Sequence, residues 1–275
     1  MAKLTKFSDL TPVSCPDPWF KVYRLLPGVT AIFEPYHFQE VISYLIEGTD
    51  RALLFDSGMG IGDIRSVVSS LTDKPVTLVN SHSHFDHVGG NHLFGETHLL
   101  NVPDCVHRLE NGFSLPAGDE NLSPKSLSYP GELDFDLSRL SVKPCRVIPV
   151  NEGDVFKLGN RKLRVIATPG HSRDSLMLCD DDNHLLFTGD TVYPAPLYAF
   201  LEGSEMVRVY ADTIKSMVRQ FASYTLCCSH NNPLWSGDAL SEISDAFEAV
   251  LDGKISGTAG EGHIQYSFGD FSIVI

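Results

Sequence analysis

The chain has 275 residues, 43% hydrophobic and 20% charged, which excludes a mostly disordered polymer and suits one domain spanning 1–275 around a large core. Its net charge of −14 excludes a general nucleic-acid or anionic-membrane binder, because so acidic a surface repels phosphate. No apolar run approaches the roughly 18 residues of a membrane span, and residues 1–15 lack the apolar core and cleavage site of a secretion signal.

Residues 20–26, 29–33, 41–47 and 52–55 read as a meander of short strands, punctuated by Pro-Gly, Pro-Tyr and Gly-Thr-Asp. Ile61, Ile64, Val68 and Leu71 share one helical face, so 61–71 is predicted to be a helix. A buried strand follows at 76–79, a weaker one at 99–102 and a helix at 103–110. Residues 111–139 are rich in Gly, Pro, Ser and Asp without periodicity, which predicts a lid or insertion. Later strands are expected at 146–150, 163–167, 175–179, 185–188 and 225–228, and helices at 206–222 and 237–252. A terminal hairpin is expected over 264–275, turning at Gly269-Asp270. The order predicts an α/β fold with helices packed outside two sheets. The six cysteines are scattered without CxxC spacing, mostly in apolar segments, which fits free thiols in a reducing cytoplasm.

The strongest chemical signal is Ser81-His82-Ser83-His84-Phe85-Asp86-His87. Three histidines and an aspartate so spaced arise by chance about once in a thousand chains of this composition. The run follows directly on the strand at 76–79 and precedes Gly89-Gly90, expected to let the backbone turn tightly. Imidazole and carboxylate are the ligands that zinc and similar cations prefer. Three further strands end in a candidate ligand: 163–167 runs into Thr168-Pro169-Gly170-His171, 185–188 into Gly189-Asp190, and 225–228 into Ser229-His230. Strand ends are where rigid structure hands over to backbone able to aim a side chain, so four such ends point to one site built from distant segments.

The HxHxDH run with His171, Asp190 and His230 resembles the ligand set of the metallo-β-lactamase superfamily, and Asp56 in Phe55-Asp56-Ser57-Gly58 is similar to its Asp-x-Gly strand end. The resemblance runs from about residue 20 to 235 and implies an αββα four-layer sandwich, two mixed sheets with helices on the outer faces, and a metal site at one edge. It implies two Zn2+, with Fe or Mn as alternatives: one held by His82, His84 and His171, the other by Asp86, His87 and His230, with Asp190 bridging. Two dications close together repel, so a shared carboxylate and hydroxide between them make physical sense. The implied activity is hydrolysis of an ester, thioester or lactone of a small molecule by the bridging hydroxide, with Asp86 helping to orient it. Asp56 is then expected to orient a ligating imidazole, or else simply to form a turn. Tyr193, three residues after Asp190 as in lactonases of this fold, either donates to a developing oxyanion or lines the pocket. The apolar segment 194–201, interrupted by Pro194 and Pro196, is expected to be neither ordinary helix nor strand, and to serve as a pocket wall or as core.

Sulfur dioxygenases resemble the same pattern but use one iron on two His and one Asp, here His82, His171 and Asp190. Phosphodiesterase and β-lactamase chemistry are further alternatives, the first disfavoured by the net charge and the second by Asp190 standing where some relatives carry a Cys ligand. A thioesterase like glyoxalase II fits the ligands, although the tail reads as strands rather than that family's helical domain. The expected partner is a small-molecule substrate, with no nucleic acid and no membrane; a homodimer is left open. His37, His92, His98, His107, His184 and His263 fall outside the ligand pattern and are read as structural or exposed.

Overall fold

Two seven-stranded mixed sheets stack face to face in the structure, a computed structural model that describes residues 4–130, 135–260 and 262–275. The first sheet runs, in spatial order, through Arg146–Val150, Glu96–Leu100, Val76–Val79, Ala52–Phe55, Ile42–Glu47, Val29–Phe33 and Lys21–Leu26. The second runs through Leu4–Thr5, Leu234–Ser236, Thr225–Cys227, Leu185–Phe187, Leu176–Asp180, Lys162–Ala167 and Val155–Lys157. Val29–Phe33 and Ala52–Phe55 are buried along their whole length, as strands covered on both faces must be, which is why their sequences run apolar instead of alternating. One core lies between the sheets, where Tyr44, Phe55 and Phe187 pack together. A second fills the space between the second sheet and the helices Met206–Phe221 and Ala239–Leu251. A third sits under the helix Ile64–Leu71, on the outer face of the first sheet. These layers are the expected αββα sandwich, and the helix Pro103–Asn111 adds a further apolar cluster around Leu99 and Leu109.

Several boundaries move for identifiable reasons. The first helix begins at Ile64, not at residue 61, because the Asp63 side chain accepts from Ser66 N at 3.0 Å and caps it there. The strand expected at 99–102 lies at Glu96–Leu100; Thr97 faces inward and is buried, so the apolar reading missed the strand's start, while Val102 already precedes the next helix. The segment 194–201 contains a strand, Pro196–Tyr198, against expectation. It pairs in parallel with Phe271–Val274 at the edge of a four-stranded sheet completed by Ile264–Phe268 and Thr258–Ala259. Pro196 is tolerated as the first residue of an edge strand, where its missing N–H costs no ladder bond. The lid expected at 111–139 carries short 3-10 turns and a strand, Phe113–Ser114, paired with Ser141–Val142; its residues 131–134 lie outside the described residues.

Four parallel or equivalent strand ends meet at one edge of the sandwich. Phe55 pairs with Val79 and Phe187 with Cys227, so the chain leaves each sheet side by side at these points. The two sheets are tied there by Leu176 N donating to Ser81 O at 2.7 Å and Ile42 N to Ser229 O at 2.8 Å. Elsewhere Arg161 clamps the sheets: buried itself, it pairs with buried Asp180 at 2.8 Å and donates to the carbonyls of Pro27, Gly28 and Glu47. Arg161→Ala would strand the Asp180 charge and is expected to cost about 3–5 kcal/mol. Urea unfolding should read this as a lower midpoint with little change in slope.

Candidate metal centre

The residues singled out at the strand ends converge at that edge. His82 and His84 follow Val76–Val79, and Asp86 and His87 ride on the one-turn helix Phe85–Val88. His171 lies in the turn between Lys162–Ala167 and Leu176–Asp180, Asp190 in the 3-10 turn Gly189–Thr191, and His230 beyond Thr225–Cys227. Asp190 can approach His82 only because its neighbour is glycine: a Cβ on Gly189 would lie 2.5 Å from Ser81 Cβ, and its φ of +49° is in the left-handed region. The chain turns at Gly89 and Gly90 as expected, but with ordinary negative φ; glycine is needed there because the backbones of Met59 and Ser57 pass within 2.2 and 2.6 Å of where a Cβ would stand. The Asp190 turn is held from behind by Tyr210, whose hydroxyl lies 2.9 and 2.7 Å from the carbonyls of Asp190 and Thr191.

Nitrogen and oxygen atoms of the cluster fall into three overlapping groups, each within 4.8 Å: His82, His84 and His171; His82, His87 and Asp190; and Asp86, His87 and His230. Asp190 stands between the outer two. Its Oδ2 is 3.5 Å from His171 Nε2, and its Oδ1 is 3.1 Å from His87 Nε2 and 3.0 Å from His230 Nε2. Asp86 Oδ2 is 3.5 Å from His87 Nε2 and 3.7 Å from His230 Nε2. All but His84 are buried, and His84 is half-buried.

The far sides of the rings are fixed. His87 Nδ1 meets Asp56 Oδ2 at 2.9 Å, so Asp56 orients an imidazole as expected, in a backbone conformation (φ +65°) unusual for a non-glycine residue. Asp56 also accepts from Ser81 N at 2.7 Å and Ser81 Oγ at 2.8 Å. With its proton given to Asp56, Ser81 Oγ is left to accept from His82 Nδ1 at 3.0 Å, which turns the His82 Nε2 lone pair inward. His230 Nδ1 donates to the carbonyl of Gln39 at 2.6 Å. Neither Ser81 nor Gln39 was singled out in the sequence. Ser81, adjoining the histidine run, was within reach of that reading; a backbone carbonyl 191 residues from its partner carries no sequence signal.

The electrostatics suit a cation. Burial pushes His84 and His171 down to about 4, and burial together with the neighbouring His87 and His84 holds His82 well below the usual imidazole range. These three are neutral and offer lone pairs. Burial also opposes charge on His87 and His230, but Asp190 and other carboxylates outweigh it and raise both. Burial would raise Asp190, yet His230 and His87 hold it well below the carboxylate range. Buried His82 Nε2, His171 Nδ1 and Asp190 Oδ1 have no hydrogen-bond partner among the described residues. His82 Nε2 belongs to the converging donor set, and a buried polar atom without a partner is expensive unless something binds it; Asp190 Oδ1 has only the imidazole nitrogens of His87 and His230 beside it. A divalent cation, liganded by imidazole and carboxylate, fits this set.

The cluster opens into a cavity of about 720 Å3. The segment 194–201 is both wall and core: Pro196, Tyr198 and Phe200 line the cavity, whereas Leu197 and Ala199 are buried in the core beneath, the alternation a strand imposes. Leu115, Asp119, Glu120 and Asn121 contribute from the lid, and Phe38 from the loop that carries Gln39. That loop and the lid are stitched together by Gln39 Nε2 donating to Asn121 Oδ1 at 3.0 Å and Phe38 N to Ser126 O at 2.9 Å. Tyr193 also lines the cavity and packs its ring 5.0 Å from that of His230, but its hydroxyl donates to Pro196 O at 2.5 Å. Of the remaining histidines, His263 reaches the cavity, stacked on Phe200, and His37 is buried against the lid.

Known proteins are similar to this chain in sequence and in fold. Residues 40–230 match the family described as the Metallo-beta-lactamase superfamily. The chain is similar to the acyl-coenzyme A thioesterase MBLAC2 of Gallus gallus, 31% identical over 205 residues that cover 68% of this chain and 71% of that one. With the Homo sapiens protein of the same name the identity is 29%, over 64% of this chain and 66% of the relative. A beta-lactamase domain protein from Burkholderia ambifaria has the same fold, with a TM-score of 0.64 at 19% identity over 90% of this chain and 78% of that one. Fold, ordered motifs and matched residues agree, and the chain belongs to the metallo-beta-lactamase superfamily as one of its hydrolases.

Proposed function

We propose that the chain is a binuclear metal-dependent thioesterase acting on small acyl thioesters. The observation that carries this reading is the cluster of overlapping donor groups opening into a cavity with an apolar wall. His82, His84 and His171 would hold one divalent ion and Asp86, His87 and His230 the other, with Asp190 shared, because its carboxylate lies within 3.5 Å of a histidine from each group. Such ions, when bound, act as Lewis acids on a carbonyl and bring the pKa of bound water to about 7. Zinc suits the donors best, with iron or manganese as alternatives. The relatives named as acyl-coenzyme A thioesterases support a thioester over a lactone or other ester.

The chain's own residues supply the rest. Asp86 is buried among the imidazoles yet lines the cavity, so its carboxylate can accept a hydrogen bond from the attacking water. That water adds to the thioester carbonyl, the carbon–sulfur bond breaks, and the products are a carboxylic acid and a thiol. Tyr198, Phe200 and Leu201 offer an apolar surface for the acyl group, and the lid residues narrow the opening. Tyr193 serves as wall: with its proton on Pro196 O it has none to give an oxyanion. A mononuclear iron reading on His82, His171 and Asp190 leaves Asp86, His87 and His230, a complete second donor group, without a role.

The first test is to purify the protein without added metal, measure zinc, iron and manganese per chain, and follow thiol release from acyl thioesters. Two ions per chain with thiol release is expected; one iron, with oxygen uptake on a persulfide and no thiol release, sinks the proposal. Asp190→Ala should lower turnover on the order of 10³-fold or more and reduce bound metal; normal turnover at normal metal content would refute the shared-carboxylate role. Asp56→Asn should weaken metal binding about 10–100-fold while the fold survives, read by chelator competition. Tyr193→Phe should leave kcat within about two-fold and lower stability by about 1–3 kcal/mol, through the Pro196 carbonyl left unpaired. A large fall in kcat at unchanged KM would instead return the phenol to the reaction.

A further inference from the structure

The cavity at the metal centre has a charge problem. The chain carries a net charge of −14, and the lining includes the carboxylates of Asp86, Asp119, Glu120 and Asp190. Two bound divalent ions would answer Asp86 and Asp190; the overall negative charge, with Asp119 and Glu120, would still repel an anionic group unless a further cation stands in the cavity. Among the described lining residues one lysine or arginine is present, Arg108. It projects from the last turn of the helix Pro103–Asn111, the end of a helix that favours positive charge.

Its guanidinium is placed but not used. The guanidinium carbon lies 3.6 Å from the centre of the Phe113 ring, a contact that engages the cation through the ring and not through its N–H donors. Among the described residues no hydrogen bond or ion pair engages those donors. Partial burial lowers its pKa, only partly offset by the nearby Cys105 thiol and the Asp174 and Glu202 carboxylates. A planar fork of donors held at the edge of a cavity matches a carboxylate or phosphate, which it can grip through two parallel bonds.

We infer that Arg108, held over Phe113, is a substrate-binding residue that receives an anionic group on the thiol half of the substrate, so that the thioester lies across the Asp190 cluster with its acyl group on the apolar wall. This rests on the thioester reading and adds to it a substrate class: thioesters whose thiol carries phosphate or carboxylate, in preference to neutral ones. The shared chemistry is a bidentate oxyanion, and two thiol carriers would present it, a phosphorylated one such as coenzyme A and a carboxylated one such as glutathione.

The test uses uncleavable thioethers that share one apolar arm: S-hexyl-coenzyme A, S-hexylglutathione and the neutral S-hexylpantetheine. Their binding to the metal-loaded protein is measured by titration calorimetry, for the wild type, Arg108→Gln and Arg108→Lys. The expected result is at least a ten-fold preference for one anionic thioether over S-hexylpantetheine. Arg108→Gln should abolish most of it without changing S-hexylpantetheine affinity, and Arg108→Lys should keep part. Preference for the coenzyme A derivative identifies phosphate and preference for the glutathione derivative carboxylate; either supports the inference. Equal binding of all three by the wild type, or an equal loss for all three in Arg108→Gln, overturns it. Turnover of hexanoyl-coenzyme A, hexanoylglutathione and hexanoylpantetheine is measured in parallel. If none is cleaved by the loaded enzyme, the thioester reading fails while the calorimetry still decides whether Arg108 binds an anion.

Discussion

The carboxylate of Asp190 is buried between imidazoles supplied by three separate stretches of chain, and much of the molecule is arranged to keep it there. A buried charge without compensation costs several kcal/mol, so the surrounding residues have to answer it. His87 and His230 do so directly, and a bound divalent cation would do so more fully. The same demand accounts for Gly189, which lets the turn lie against Ser81, and for Tyr210, which pins the turn's carbonyls from the helix behind. Removing the side chain at one position and adding a hydroxyl at another serve one end: a carboxylate held within 3.5 Å of three rings.

Rigidity behind the ligands is distributed unevenly. On the side of the first sheet, Asp56, Ser81 and the His82 and His87 rings form a closed network of hydrogen bonds. On the side of the second sheet, His230 is oriented by a backbone carbonyl of the 37–40 loop, and that loop is itself bonded to the lid. The segment around Asn121 is thus joined to His230 through two hydrogen bonds and the intervening Gln39. The cavity wall follows from strand geometry: residues 196–200 alternate between the cavity and the core, so the same segment lines the cavity and anchors the terminal hairpin.

Most strands of the first sheet were legible nearly to the residue, because Val29–Phe33, Ala52–Phe55 and Val76–Val79 are apolar runs bounded by turn residues, and strands covered on both faces have that pattern; Glu96–Leu100 was the exception. Short strands at or next to a sheet edge were not legible. Val155–Lys157, Leu234–Ser236 and Pro196–Tyr198 are three residues long, too short for a period to be visible, and each exists because a neighbouring strand offers it a ladder. Gly89 and Gly90 were read as turn formers, yet what requires glycine there is the close passage of the Met59 and Ser57 backbones, contacts made by residues some thirty positions away.

By itself the sequence determined the donor set and the layered fold, since His and Asp at strand ends and apolar periodicity are local properties of the chain. Only the tertiary structure decided which atoms face one another: that the Asp190 carboxylate reaches histidines of both donor groups, that the Tyr193 hydroxyl is committed to Pro196, and that Arg108, against Phe113, lines the same cavity. These depend on distances between segments tens to hundreds of residues apart. Such distances are set by how the two sheets stack and where their strand ends meet, quantities that no local pattern encodes.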